Sequence, residues 1–323
     1  MLSSEARNVV ILTYKLAQEV DGVIDLLRSR RVTVTRVNLC DYPNLLTLSV
    51  SSSAAFSDNI TIDPTSVGWL HSVSPPSAID RLRGLSREVA FRERDAFLEG
   101  NITTLSCAWL NGPSEIRLCS NKITQLHRAT QLGIAAPDYV VTNSNSVAKE
   151  FVCSTGDCVI KSLSSNFITY GDKSYKFYTR RAPSIIDEVY RSLRLGPIII
   201  QREIKRLAEI RVVIVDDNCF SVRLDCSDLP SDIVDIRQLN FGEMSSRFSA
   251  ATGTSSIEKD SLRFLRSFGL SCGAFDWVED MRGDFYFLEC NPLGSFKWTE
   301  IVGSFPISEA IVDALINRLA NSV

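Results

Sequence analysis

Two stretches near the C-terminus, GAFDWV (273–278) and FYFLECN (285–291), alternate apolar and polar side chains around EDMRGD. That pattern predicts two antiparallel strands joined by a turn. A turn centred on Arg282-Gly283 sets Asp276 opposite Glu289, and Asn291, two residues on, shares their face. Facing carboxylates about 5 Å apart destabilise a ladder, so a cation belongs between them. Two carboxylates and an amide oxygen are hard ligands of the kind Mg2+ accepts when phosphate oxygens and water complete its octahedron. A solvated hairpin face whose acids pair with nearby Arg accounts for the same residues. A register slip of one would place Asp276 and Glu289 on opposite faces.

An earlier hairpin carries the opposite charge. AEIRVVIV (208–215) puts Glu209 and Arg211 on one face and returns through Asp216-Asp217-Asn218 as CFSVRLD. Arg211 either projects into a site or forms an intrastrand pair with Glu209. Lys161 closes the apolar run CVIK (158–161) in the same manner, facing a site or simply extending to water.

The composition narrows the chemistry. The chain has 323 residues, 45% hydrophobic and 23% charged, with 35 Lys+Arg against 38 Asp+Glu and only two His. Such a chain is globular, with two or three domains, and neither disordered nor fibrous. A net charge of −3 gives no support to binding nucleic acid by phosphate neutralisation. His71 and His127 alone argue against a His-based zinc or di-iron centre. The nine cysteines show no C-x-x-C pair and sit mostly in apolar runs, as packing residues of a reducing compartment do. No basic n-region opens the sequence and no apolar run nears the roughly 18 residues of a membrane span. A cytoplasmic protein without membrane contact is expected.

The elements that must position these residues follow from periodicity. NVVILT (8–13) reads as a strand, Leu16, Val20, Ile24 and Leu27 recur at helical spacing, and VTVTRVN (32–38) is a strand again. This βαβ unit opens an α/β domain and lacks the G-x-G-x-x-G of a dinucleotide site. Strands follow at 45–51 and 59–62, then a loop (72–77) and a helix with Ile79, Leu82, Leu85 and Val89 on one face. The breaker Asn111-Gly112-Pro113 marks a domain boundary. Beyond it come a helix from Ser120 to Gly133, strands at 139–143 and 158–163, a helix at 184–194 and a buried strand at 198–203. The hairpin at 209–225, a helix at 257–268, the hairpin at 272–291 and a helix at 307–320 complete the chain.

Taken in order, Asn121-Lys122, CVIK with Lys161, IIIQREI (198–204), Glu209-Ile210-Arg211, Asp276 and Glu289-Cys290-Asn291-Pro292-x-Gly294 resemble an ATP-grasp enzyme. More narrowly, the chain is similar to the graspetide (microviridin-type) synthetases. LCDYP (39–43), VGWL (67–70), AWLNGP (108–113), SNKITQLHRATQLGI with APDYVVTN, and NPLGSFKWTE (291–300) carry that likeness. The resemblance implies an α/β pre-ATP-grasp domain at 1–112, a central ATP-grasp lobe at 113–197 and a C-terminal lobe at 198–323. It implies ATP and Mg2+ as cofactors. Lys122 and Lys161 would contact phosphates, the Gln201, Arg202 and Ile204 segment adenine, and Glu209 the nucleoside. Arg211 and Arg237 would face the reacting anion, and Asp276, Glu289 and Asn291 would hold the metal. The loop at Gly171-Asp172-Lys173 would cover the phosphates.

The activity so implied is ATP-dependent crosslinking of Asp or Glu side chains of a precursor peptide to Ser/Thr hydroxyls or a Lys amine. A glutamate-tailing carboxylate–amine ligase, or a silent ATP-grasp protein that binds a peptide, are the alternatives. Some such synthetases are dimers, which leaves a homodimer among the expectations. Three positions depart from the related pattern: His71 stands where W-x-R is common, Ser295-Phe296 where Gln-Trp often follows N-P-x-G, and Ile236 in the Asp-Trp-Arg segment.

Overall fold

The computed structural model describes residues 8–41, 48–50, 55–57, 65–72, 82–105, 107–164, 167–170, 173–182, 193 and 195–321. The expected strand at 59–62, the Ser/Pro loop at 73–77, Ile79, Gly171-Asp172 of the phosphate loop and, Leu193 apart, the helix at 184–194 lie outside them.

The chain begins as its periodicity predicts, except that Leu16 precedes the first helix and is exposed. Strands β1 (Asn8–Thr13) and β2 (Thr33–Asn38) flank a helix at Gln18–Ser29 and pair in parallel, Asn8 with Thr33 and Thr13 with Asn38. Strands β3 (Leu48–Val50) and β4 (Ala55–Ser57) form a separate antiparallel pair. β5 (Val67–Leu70) and β6 (Ala108–Trp109) complete a four-stranded parallel sheet of order β2-β1-β5-β6. Parallel strands need cover on both faces. Val20, Val23 and Leu27 of the first helix, with Ile307, Ile311 and Leu315 of the last (Ile307–Asn321), supply one face. On the other, Val10 and Leu12 share a core with Leu98, Ile102, Ile116 and residues of the C-terminal sheet.

The helix at Gly84–Thr104 corrects one expectation. Leu82, Leu85 and Val89 were to line a packed face, yet they are 39%, 78% and 48% exposed, and the burial falls on Leu98 and Ile102 in the last turns. Asn111, at the breaker cluster, is tied to a remote segment. Its buried side chain accepts from the amides of Ser271 and Cys272 at 2.8 and 3.0 Å and donates to the Cys272 carbonyl at 2.6 Å.

Beyond it, β7 (Tyr139–Thr142), β8 (Cys158–Lys161), β11 (Arg180–Arg181) and β12 (Ile198–Arg202) build an antiparallel sheet of order β11-β8-β12-β7, and β9 (Phe167–Tyr170) pairs with β10 (Lys173–Lys176). A core of Ala148, Cys158, Ile160, Ala182, Leu193 and Ile200 underlies the central sheet. The third large sheet, β15-β14-β13-β16-β17, is antiparallel. Its strands are β13 (Arg206–Val215), β14 (Asn218–Asp225), β15 (Phe248–Ala250), β16 (Cys272–Asp280) and β17 (Phe285–Asn291). Phe264 on the helix Ser255–Ser267 meets Phe275 edge-on and packs against Phe287, fixing that helix across β16 and β17.

All nine cysteines are free. Cys119, Cys158, Cys226 and Cys290 are buried as packing residues, but Cys153 is exposed, against expectation.

Candidate active site

The register of β16 and β17 decides what the site is. The turn is closed by Asp280, whose Oδ1 accepts from the amides of Arg282 and Asp284 at 2.8 and 2.9 Å, with Gly283 at φ +87° where a side chain would be strained. Next to it Glu279 faces Phe285 and Trp277 faces Phe287, one residue out of the register expected from a turn centred on Arg282-Gly283. A bulge at Leu288 then restores it, and Asp276 faces Glu289. Without that extra residue Asp276 would oppose Leu288 and Glu289 would point to the other face.

On the other side of β16, Arg211 of β13 faces Asp276. A row of one cation and two carboxylates thus crosses three adjacent strands. Arg211 Nη1 donates to both Asp276 oxygens at 2.8 and 2.9 Å, and Nη2 to the Ser295 carbonyl at 3.3 Å. Its Nε is buried without a hydrogen-bond partner. Gly294 permits this approach, because a Cβ there would lie 2.9 Å from Arg211 Nη2 and 2.8 Å from the Ala274 Cβ. Asn291 Nδ2 reaches Asp276 Oδ2 at 3.4 Å.

Of the two alternatives for Arg211, the intrastrand pair with Glu209 does not form. Glu209 accepts from Arg206 at 2.7 Å, although strand residues three apart ordinarily face opposite ways. A register shift between Arg206 and Ala208 turns Arg206 round. Sequence reading missed Arg206 for that reason, and it gave no role to Asp235 of the Asp-Trp-Arg segment. That buried carboxylate caps the turn at Ile236–Gln238 and grips Arg237 through Nε at 2.7 Å and Nη2 at 2.5 Å.

Lys122 opens the helix Lys122–Gln131, whose N-cap Asn121 accepts from the amides of Ile123 and Thr124. Lys122 Nζ donates to the Ser162 carbonyl at 3.1 Å and lies 3.5 Å from Glu289. Lys161 ends β8. A cleft of about 810 Å³ between the central and C-terminal sheets collects Lys122, Lys161, Gln201, Arg202, Ile204, Glu209, Arg211, Arg237, Asp276 and Glu289 on its walls. Asn291 is absent from that wall and joins through Asp276. At the end of β12, the amides of Arg202 and Glu203 donate to the carbonyls of Asp138 and Asp157 at 2.8 and 2.9 Å. Trp298, which the sequence reading did not single out, also lines the cleft, with the Arg211 guanidinium 6.0 Å from its ring and Phe248 packed beside it.

Burial and neighbouring charge set the ionisation. Burial lifts Glu209 to about 7, against the pull of Arg206 and with Asp276 adding to the rise. It also lifts Asp276, where Glu289 adds to the rise and Arg211 opposes it. In Glu289 burial is outweighed by Lys122, Lys161 and Arg237, which hold its carboxyl below the usual range. Burial depresses Lys161, with Glu289 opposing. Among the described residues no three His, Cys, Asp or Glu side chains converge as an all-side-chain cage for a metal. The donor set here is two carboxylates and an amide. It fits a hard cation with open positions: one carboxylate is destabilised by its neighbour, and the Arg211 Nε beside them is an unfilled donor for an anion.

His71 belongs to the support of this row. Its ring bridges Thr13 Oγ1 at 2.9 Å and Glu19 at 2.7 Å, and Glu19 accepts from the Ser295 hydroxyl at 2.8 Å and from the amides of Phe296 and Lys297 at 3.4 and 3.3 Å. The N-terminal sheet thereby holds the loop whose Ser295 carbonyl receives Arg211.

No family model and no curated protein matches the chain. Solved structures do. A Chryseobacterium gregarium RiPP-associated ATP-grasp ligase, solved with ADP and a leader and core peptide, superposes with TM-score 0.83 at 21% identity over 97% of each chain. The Microcystis aeruginosa macrocyclase MdnC, bound with its precursor peptide MdnA, gives 0.79 at 22% over 96% of this chain and 99% of that one. The ATP-grasp ligase PsnB, complexed with a minimal precursor, Mg and ADP, gives 0.73 at 20% over 97% and 98%. The chain has the ATP-grasp fold, and its likeness runs to ligases of this kind.

Proposed function

We propose that the protein is an ATP-dependent ligase that activates Asp or Glu side chains of a ribosomally made precursor peptide. It joins them to Ser/Thr hydroxyls as esters or to a Lys amine as an amide, giving a macrocyclic graspetide. The observation that carries this reading is the Arg211–Asp276–Glu289 row facing Lys122 and Lys161 across one cleft, on a fold shared with ligases solved with precursor peptides. In this reading residues 1–112 form the pre-ATP-grasp domain, 113–197 the central lobe and 198–323 the C-terminal lobe, and the protein works in the cytoplasm.

A carboxylate is a poor acyl donor because its leaving group would be oxide. Its attack on the γ-phosphorus of ATP releases ADP and leaves an acyl-phosphate. A hydroxyl or amine then attacks the acyl carbon, loses a proton and expels phosphate. Lys122 and Lys161 bind the phosphate chain, and Arg211, pre-oriented on Asp276, meets charge on the transferred group and the acyl-phosphate. Arg237, gripped by Asp235, faces the same anion from across the cleft. The linker at Gln201, Arg202 and Ile204 binds the base, and Glu209 lies toward the ribose. Asp276, Glu289 and Asn291 would hold Mg2+, which when bound neutralises the phosphate oxygens. The walls keep water from the acyl-phosphate.

Co-expression with a short reading frame encoded beside the gene tests this. The precursor should lose the mass of one water per crosslink, and the loss should vanish in Asp276→Ala. An unchanged mass with ATP and Mg2+ present overturns the reading, and a gain of one amino-acid residue assigns the tailing reaction instead.

A further inference from the structure

Between the two metal-side residues of β17 lies Cys290, whose side chain turns away from the cleft into the core, its Sγ 3.9 Å from that of Cys119. β17 is the edge of its sheet, so among the described residues Cys290 has no strand beyond it to pair with. The buried amide of Gln125 takes that place. Its Oε1 accepts from the Cys290 amide at 2.8 Å, and its Nε2 donates to the Cys290 carbonyl at 2.7 Å and to the Cys119 carbonyl at 2.7 Å.

The Cys290 N–H lies in the peptide plane shared with Glu289, and the Cys290 C=O in the plane shared with Asn291. One side-chain amide therefore pins both peptide planes from which the two ligands project. Gln125 also sits three residues after Lys122, on the same helix face, and Lys122 reaches Glu289 itself. A single helical turn thus fixes Glu289 by its charge and the backbone on either side of Cys290 by hydrogen bonds.

We infer that Gln125 is a positioning residue for the metal: it touches neither nucleotide nor cation and sets the directions of Glu289 and Asn291. This rests on the reading of those residues as metal ligands. Partners of this kind, one shell behind the ligands, typically carry about 10–100-fold in metal affinity.

The test uses the full chain, with Mn2+ as the paramagnetic probe and ADP as the nucleotide. Gln125→Met keeps the volume and removes all three hydrogen bonds. It should weaken Mn2+ binding in the ADP complex by about tenfold or more, while ADP affinity without divalent cation stays at the wild-type value. Cys119→Ala, which alters the same core without touching the clamp's contacts to Cys290, should leave both unchanged. If Gln125→Met does not fold, Gln125→Asn, one methylene shorter, is measured in its place with the same expected loss. A folded variant that binds Mn2+ and ADP like the wild type overturns the inference, as does an equal loss in Cys119→Ala. Absence of any Mn2+ effect on ADP binding in the wild type overturns the metal reading beneath it.

Discussion

The two sheets that face the cleft are anchored very differently. The five-stranded C-terminal sheet buries Ile210, Val212, Phe275 and Phe287 in a core that also contains Val10 and Leu12, and Val213 and Val215 in one shared with the first and last helices. The described core of the central sheet is Ala148, Cys158, Ile160, Ala182, Leu193 and Ile200. Arg211, Asp276 and Glu289 lie in register on the first. Lys161 and the Gln201–Arg202 end of β12 lie on the second, whose described core is a cluster of its own, with Val140, Phe151, Val152 and Ile198 packed against it.

The largest effects should come from the anchored row. Asp276→Ala and Glu289→Ala should lower crosslinking by about a thousandfold, read as product mass in a single turnover, with the fold retained by circular dichroism. Arg211→Lys should cost about a hundredfold, since an ammonium cannot hold Asp276 and an anion in one plane. Its KM for ATP should not change. A larger penalty from a residue of the central sheet would break the comparison.

Stability sharpens it further. Phe264→Ala should remove about 3–5 kcal/mol in urea titration and loosen the N- and C-terminal sheets together. Ile200→Ala should remove about 2–3 kcal/mol, with faster amide exchange confined to the central sheet. Exchange spreading into β13 would show that the two sheets open as one body.

The smallest effect is a pH dependence. Glu209 is lifted from its ordinary 4.5 to about 7, so the folded state holds its proton more tightly than the unfolded chain. Its contribution is full below about 4.5 and is lost as pH rises through about 7. Glu209→Gln should therefore gain on the wild type as pH rises across that window, by roughly 1–3 kcal/mol, in denaturation series at about pH 4 and about pH 8, below and above it.

How far the sequence carries can be judged residue by residue. The β16–β17 hairpin was legible because alternation and an Arg-Gly turn are local signals. Its bulge was not, and the facing of Asp276 and Glu289 came out right only because the bulge at Leu288 offsets a register misplaced by one at the turn. Arg206 was hidden by a second irregularity, at Leu207. Asn111 looked like a breaker because its partners, Ser271 and Cys272, are remote in sequence. In the helix at Gly84–Thr104, periodicity marked an apolar stripe, but which turns are covered is set by tertiary packing, and the buried apolar residues are Leu98 and Ile102. Gln125 carried no signal of its own beyond lying three residues after Lys122.

The most direct test of the central claim labels the Asp and Glu side-chain carboxylates of the precursor with heavy oxygen and follows the phosphate released during crosslinking. Activation as an acyl-phosphate predicts that each crosslink delivers one heavy oxygen from carboxylate to phosphate. Crosslinked product formed with unlabelled phosphate would contradict it.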